Sequence, residues 1–317
     1  AVMTELTEAE AAVYDRQLRV WGVETQKRLN NSRVLVAGLC GLAAETCKNI
    51  ILAGVGSLTL MDSTPAKSGK PGNFLAPADC DPALSVAEVS ATTLRDMNPL
   101  VTVNVAEGMA HDVQDSCSLE GYNVVVLLGA PLAVQLRWDQ WTTKLGITFF
   151  AGSVRGSCSH FFANLHSHTF TPWPTLRTVL PVEKQTMEFC SLEKALGADW
   201  QSTGKHCHKM YYQLAAASSY EAQEGSAPGP EHAEMLCAMA TKMAELAGRS
   251  LEETATSAGI CDYLVAGSLP QMAPVSAVAG GILAQELLKG VTQKGAPIGN
   301  FFFFSLADCR GICNMIG

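Results

Sequence analysis

Charge is scarce in this 317-residue chain. Lys, Arg, Asp and Glu make up 16% of it, against about 25% in an ordinary soluble domain, while apolar residues reach 48%. A lone monomer of this size would want more polar surface, so a large covered face and an obligate partner are expected. The charge present leans acidic, with a net of -8, which argues against a general nucleic-acid or anionic-membrane surface. No run approaches the roughly 18 apolar residues of a membrane span. No secretory leader precedes the first helical pattern, and no basic run of nuclear-import type occurs. Cysteine is plentiful, but its pairing signals are missing: the 11 residues are odd in number and contain no C-x-x-C. Reduced thiols in an intracellular protein are expected, not a disulfide framework.

What is present is organised around residues 33–62. Arg33-Val-Leu-Val-Ala-Gly38 is a short β-branched run of the kind that forms a buried parallel strand. It turns through Gly38-Leu-Cys-Gly41-Leu-Ala43 into a helical segment, 44–53, stopped by Gly54. Ser57-Leu-Thr-Leu-Met-Asp62 then makes a second strand with an acid at its carboxyl end. This is the order of a dinucleotide-binding βαβ unit. The fingerprint G-x-G-x-x-G/A needs its second glycine so that backbone can approach a phosphate, and Cys40 stands there instead. The unit at Gly38, Cys40, Gly41 and Asp62 therefore reads as a nucleotide-binding scaffold with a degenerate site, and no cofactor of its own is expected.

Around this unit the pattern alternates. Thr7-Glu-Ala-Glu10 fits a capping box, opening a helix with Tyr14, Leu18 and Trp21 on one face and Arg16 and Arg19 on the other. Helices are expected over 83–97 and 132–145, and strands over 101–105, 123–128 and 147–151, hence a doubly wound parallel sheet. Ligands of such sheets sit beyond the strands' carboxyl ends, here near Gly38, Asp62 and Gly129. Residues 160–170 alternate like an antiparallel strand. Their histidines, and those at 206 and 208, read as surface or hydrogen-bonded groups, because no ligand-spaced Cys or carboxylate accompanies them; no metal site is expected. Residues 225–230 read as an exposed linker, followed by a helix with Leu236, Met239, Met243 and Leu246 on one stripe. A mostly buried helix is expected over 272–289, with something packed against Gly280 and Gly281. Phe301-Phe-Phe-Phe304 reads as a strand buried on both faces.

Several stretches together carry a resemblance. They are Tyr14-Asp-Arg-Gln-Leu-Arg-Val-Trp-Gly22, Leu39-Cys-Gly-Leu-Ala-Ala-Glu45, Lys48-Asn-Ile-Ile-Leu-Ala-Gly-Val55, Phe162-Ala-Asn-Leu165, Met272-Ala-Pro-Val275, Gly280-Gly-Ile-Leu-Ala-Gln-Glu286 and Asn300-Phe-Phe-Phe-Phe304. In them the chain resembles the small, regulatory subunits of SUMO-activating enzymes, in the ThiF/MoeB-like superfamily. The tyrosine-to-glycine opening is shared with other activating enzymes of ubiquitin-like proteins, whereas the phenylalanine strand and its preceding helix point to the SUMO branch. Residues 63–100 and 171–267 are only loosely alike.

The resemblance implies an α/β, doubly wound, Rossmann-like adenylation fold in its inactive half. It implies a pseudo-adenylation domain over 1–170, a variable inserted segment over 171–270, and a C-terminal helix and strands over 271–317 completing the first domain. It also implies a heterodimer with a large catalytic subunit that holds ATP and magnesium, adenylates the SUMO C-terminus and passes it to a cysteine, with SUMO met through the complex. A competent half of this kind has an Asn-Arg-Gln cluster and a magnesium aspartate; this chain has Asn73 without a neighbouring arginine, and Gly129-Ala-Pro131. Segment 171–267 is too short for a catalytic-cysteine domain, and Cys190, Cys207, Cys237 and Cys261 within it are read as inert buried thiols. By the same resemblance Arg16 reaches the partner's ATP in trans, and the compartment is the nucleus, possibly with cytoplasm. Arg19 is read as structural or interfacial. Two alternatives stay open: a homodimeric sulfur-carrier adenylyltransferase, disfavoured by the missing groups, and an NAD(P) oxidoreductase, disfavoured by Cys40 and by the lack of a catalytic Tyr-x-x-x-Lys.

Overall fold

A computed structural model describes residues 6–68, 72–173, 182–204 and 207–317. Three short helices come first: α1 (Glu8–Val13), α2 (Asp15–Trp21) and α3 (Val23–Asn30). Thr7 and Glu10 form the expected capping box. The single helix expected beyond it is instead broken at Tyr14, where φ -96° and ψ 12° interrupt the hydrogen-bond ladder.

The wound unit follows as β1 (Arg33–Ala37), α4 (Gly41–Ala53), β2 (Ser57–Met61), α5 (Val86–Met97), β3 (Thr102–Ala106), β4 (Val124–Leu128), α6 (Leu132–Leu145) and β5 (Thr148–Arg155). Two helix starts differ from the sequence reading for local reasons. Cys40, extended at φ -84° and ψ -176°, is already the N-cap of α4, so that helix begins before residue 44. Ser85 and Glu88 make a reciprocal capping box that starts α5 three residues later than expected.

β6 (Cys158–Asn164) turns back antiparallel on β5, while β7 (Ser167–Phe170) and β8 (Gln185–Glu188) pair as a small separate sheet. Next come α7 (Leu192–Leu196), α8 (Lys209–Glu224), α9 (Ala233–Leu246), α10 (Ser257–Ser268), α11 (Ala273–Thr292), β9 (Phe301–Ser305) and β10 (Arg310–Asn314). The main sheet has the order β10-β9-β6-β5-β4-β1-β2-β3. The four neighbour pairs from β3 through β2, β1 and β4 to β5 are parallel, and the remaining three, β5–β6, β6–β9 and β9–β10, are antiparallel. Strand order reverses between β1 and β4, so the ligand crevice of such a sheet opens beyond Gly38 and Gly129.

Strands β1, β2, β4, β5, β6 and β9 are buried on both sides because helices cover both faces, whereas β3 and β10 at the sheet edges are largely exposed. One core joins Val34, Val36, Phe302 and Phe304 to α4, α5 and α11. The other joins Leu35, Val125, Phe301 and Phe303 to α6 through α10. The phenylalanine strand divides its side chains between the two, as the unbroken run predicts. Residues 225–230 are the turn between α8 and α9, and both helices join this second core. In α9 the buried stripe is Leu236, Ala240 and Ala244, with Met239 and Met243 at its edge. Leu246, assigned to the stripe from its spacing, is 80% exposed, because the helix turns it past the alanine face toward solvent.

α11 crosses α4 with backbones close together. A Cβ on Gly280 would lie 2.6 Å from Glu45 Cβ and 3.1 Å from the Leu42 carbonyl oxygen, so this glycine allows the approach. Gly281 has open space where a Cβ would go, contrary to the expectation that both glycines are packed against.

Candidate functional site

Beyond β1 the chain turns at Gly38, whose φ is +83° and whose Cβ, if present, would lie 2.0 Å from the Leu128 carbonyl oxygen. Only glycine fits. Gly41 opens α4, and a Cβ there would sit 2.9 Å from Ser276 Oγ and 3.1 Å from the Gly72 carbonyl oxygen. Both glycines thus accommodate protein atoms. In a working fingerprint the equivalent space belongs to a phosphate on the helix N-terminus.

The groups that would meet a nucleotide are engaged by the chain itself. The Gly41 N–H donates to Gln271 Oε1 at 3.2 Å, which puts a side-chain amide on the N-terminus of α4. Asn73 Nδ2 donates to the Leu39 carbonyl at 2.9 Å. Asp62, the acid at the end of β2, is wholly buried; its Oδ2 accepts the Leu39 N–H at 2.8 Å and its Oδ1 the Thr64 N–H at 3.1 Å. It clamps the turn it would otherwise help a ribose to reach. Cys40 is buried under this turn, and burial pushes its thiol above the ordinary range.

Across the crevice, Gly129 donates its N–H to the Gly152 carbonyl at 2.9 Å, and Ala130 and Pro131 lead directly into α6. The carboxylate near this point comes from α8: Glu221 Oε1 accepts the Leu132 N–H at 2.8 Å and so satisfies the first turn of α6. Neither Gln271 nor Glu221 was legible from spacing, since each arrives from an element distant in sequence. Among the described residues no cluster of three or more His, Cys, Asp and Glu could hold a metal ion.

Arg16 lies at the other end of α4. Tyr14 is buried, its ring packed on Gly54 just past the C-terminus of that helix, and its hydroxyl accepts from Asn98 Nδ2 at 2.9 Å. Gln17 Nε2 donates to the Leu52 carbonyl in the last turn at 3.2 Å. Trp21 Nε1 donates to Gln26 Oε1 at 3.2 Å, and Lys294 Nζ to the Trp21 carbonyl at 2.8 Å. These contacts fix α2 while Arg16 is exposed and, among the described residues, has no hydrogen bond or ion pair. Arg19 instead pairs with Asp15 at 2.9 Å on the surface. With 13 residues in α4, its two ends are about 20 Å apart at ~1.5 Å per residue. An arginine side chain cannot span that gap to its own glycine turn. Beside Arg16 runs exposed apolar surface, with Val20 67% and Leu52 47% accessible; further along α4, Lys48 lies over the exposed Phe74 ring.

Two histidines fit the reading as hydrogen-bonded groups and two depart from it. His208 Nδ1 accepts the Met210 N–H at 3.1 Å. His166 Nε2 meets the Ile147 carbonyl at 2.8 Å. His160 and His168 are buried rather than superficial, and His160 Nδ1 and His168 Nε2 have no partner among the described residues. β6 is covered on both faces, so His160 is buried on either side of it, and alternation within β7 turns His168 inward. His206 lies outside the described residues. The four thiols read as buried and inert are only half-buried at Cys190, Cys207 and Cys237, and exposed at Cys261. Burial raises the first three above the usual thiol range, Cys207 to about 11.

Residues 14–313 match the model of the ThiF family. SUMO-activating enzyme subunit 1A of Arabidopsis thaliana is 33% identical over 97% of this chain and 96% of its own length. SUMO-activating enzyme subunit 1 of Homo sapiens is 33% identical over 98% of this chain and 96% of its own length. Among solved structures, PaaA covers 98% of this chain and 84% of its own at TM-score 0.60 and 15% identity. Escherichia coli MccB with succinimide covers 96% and 72% at TM-score 0.55 and 11% identity. These two likenesses concern the fold alone, which is of the ThiF/MoeB adenylation type.

Proposed function

The chain belongs to the ThiF family, and from that premise we propose that it is the small regulatory subunit of a SUMO-activating enzyme. The observation that carries this reading is similarity over nearly the whole chain, at 33% identity, to proteins named SUMO-activating enzyme subunit 1. In this reading a large catalytic partner binds ATP and magnesium, adenylates the SUMO C-terminus and transfers it to its own cysteine. This chain binds no nucleotide; Asp62, Asn73 and Gln271 already occupying the turn supports that. It works as a heterodimer, in the nucleus by the same resemblance.

Its direct chemical contribution is Arg16. Adenylation attacks the α-phosphate and expels pyrophosphate, so negative charge grows on the β- and γ-oxygens as the bond breaks. A guanidinium held there stabilises that charge with a planar set of donors. Arg16 suits such a role outside its own chain, because it is exposed, held on an anchored helix and remote from its own turn. The neighbouring apolar surface at Val20 and Leu52 supports a partner on that side.

The test is reconstitution. The chain is co-expressed with a candidate large subunit and supplied with ATP, magnesium and SUMO. Adenylate and a thioester on the partner should form only with both chains present. Robust ATP–pyrophosphate exchange by the single chain would overturn the reading.

A further inference from the structure

The second core encloses a cavity of about 450 Å³ beyond β4 and β5, roofed by α8 and α10, that the proposed function does not use. Apolar side chains form much of its wall, among them Phe162, Leu192 and Leu214. Exposed residues 225–227 stand at its rim and leave a way in. Polar side chains on its wall include Ser153, Arg155, His160 and Glu221; Gln135 and Ser218, also there, already bond backbone carbonyls of their own segments.

Two of them, Arg155 and His160, have a buried nitrogen with no hydrogen-bond partner among the described residues. The Arg155 guanidinium lies over the Tyr263 ring, 4.2 Å from its centroid, and Nε is buried with no acceptor. Among the described residues Arg155 has no hydrogen bond and no carboxylate partner. His160 is only 6% exposed, and its Nδ1 has no partner. A buried guanidinium N–H and a buried imidazole nitrogen left unmet are costly, and native structures meet such groups with protein, solvent or ligand. Burial, followed by the Arg155 charge, lowers His160 to about 3. The ring is therefore neutral at pH 7, with one N–H to donate and one nitrogen to accept.

The composition of the wall narrows the ligand class. A purely apolar ligand would leave Arg155 and His160 unmet. A phosphate carries about −1.5 to −2 charge near neutrality, and here it would face one cation, a neutral histidine and the Glu221 carboxylate. Glu221 is itself held by the Leu132 N–H and the positive end of α6. One negative head of planar shape suits the guanidinium fork, and an apolar body suits the Phe162, Leu192 and Leu214 side.

We propose that this cavity binds an apolar monocarboxylate, with Arg155 as the principal partner of the carboxylate and His160 as a second donor. The site lies on the β5–β6 side of the sheet and involves neither Arg16 nor the glycine turn. Occupation would tie β5, β6, α8 and α10 together and stabilise the second core.

Hexanoate is the probe, titrated into the full chain in the assembly with which it purifies and read by thermal unfolding and calorimetry. Hexanol supplies the same apolar body without the charge, and inorganic phosphate supplies charge without the body. Hexanoate should give a saturable rise in Tm, and the two controls should not. Arg155→Met should weaken hexanoate binding roughly 10–100-fold, the loss expected of a hydrogen-bonded charged partner. Should Arg155→Met itself unfold, Ala217→Met fills the same cavity from α8 and should abolish the response. The proposal is overturned by no saturable response to hexanoate, by an equal response to hexanol, by phosphate binding in its place, or by an unchanged response in the folded variants.

Discussion

Replacing Arg16 by alanine separates a role in the partner's chemistry from a role in this fold. Inside the chain the side chain contributes little: it is exposed and has no ion pair or hydrogen bond among the described residues, so removing it should change stability by less than about 0.5 kcal/mol. The helix that carries it stays anchored through Tyr14, Gln17 and Trp21, none of which the substitution touches. Losing one preorganised donor to developing negative charge costs roughly 3–4 kcal/mol, or 10²–10³ in rate. Arg16→Ala should therefore leave heterodimer assembly intact while SUMO-dependent ATP–pyrophosphate exchange falls by about 10²–10³-fold. Arg16→Lys should recover only part of that, since one ammonium cannot reproduce the guanidinium fork. Arg19→Ala is the internal control, because an exposed pair such as Asp15–Arg19 contributes only a few tenths of a kcal/mol. Exchange at near wild-type rate in the reconstituted Arg16→Ala heterodimer would refute the reasoning. Exchange lost together with assembly would make Arg16 an interface residue.

Asp62→Ala should lower Tm in thermal unfolding, because the Leu39 and Thr64 N–H groups lose their acceptor at roughly 1–3 kcal/mol each where buried. The paired glycines of α11 should respond oppositely in the same assay. Gly280→Ala should destabilise by about 1–3 kcal/mol through its clash with Glu45 and Leu42, whereas Gly281→Ala, in open space, should stabilise by up to about 1 kcal/mol. Acid should weaken the fold through His160: the unfolded chain takes its proton near pH 6.5 and the folded chain only near about 3, so stability falls as pH drops through that window. At pH 5 this amounts to on the order of 2 kcal/mol. The loss of Tm between pH 7 and 5 should shrink in His160→Gln, and His168 and His208, lowered by burial too, keep it from vanishing.

The wound sheet was legible because its strands, buried on both faces, read as unbroken apolar runs bounded by glycine, and the four phenylalanines are the extreme case. Capping chemistry was legible where a residue and its partner lie three apart, as at Thr7 and Glu10. The same spacing at Ser85 and Glu88 marks the true start of α5, inside the longer helix that the periodicity alone suggests. Contacts made at a distance leave no local mark. Tyr14 stacks on Gly54 and bonds Asn98, which breaks a helix that its own periodicity would have continued. Gln271 reaches Gly41 from 230 residues away. The burial of His160 was hidden too, because β6 lies between β5 and β9 with both faces covered, and that placement depends on strands far apart in sequence.

The degenerate turn also shows why glycines survive where a nucleotide fingerprint does not. Gly38 is required by the Leu128 carbonyl and Gly41 by Ser276 and Gly72, so both would be needed in a chain that never met a phosphate. The position that only a phosphate would demand, between them, holds Cys40 and packs into the core. What the turn still does is seat the N-terminus of α4, while Gly280 locks the body of that helix to α11. The C-terminus of α4 is thereby held firm, and that end carries Tyr14, Gln17 and, through them, Arg16. A helix built to bind an anion at its first turn thus serves, in this chain, to mount a cation at its last, about 20 Å away. If that is its purpose, weakening the α4–α11 contact by Gly280→Ala should reduce exchange in the assembled enzyme more than Gly281→Ala does, although neither residue approaches Arg16 in the structure. Equal exchange in the two variants, measured well below their Tm, would detach the rigidity of α4 from the placement of Arg16.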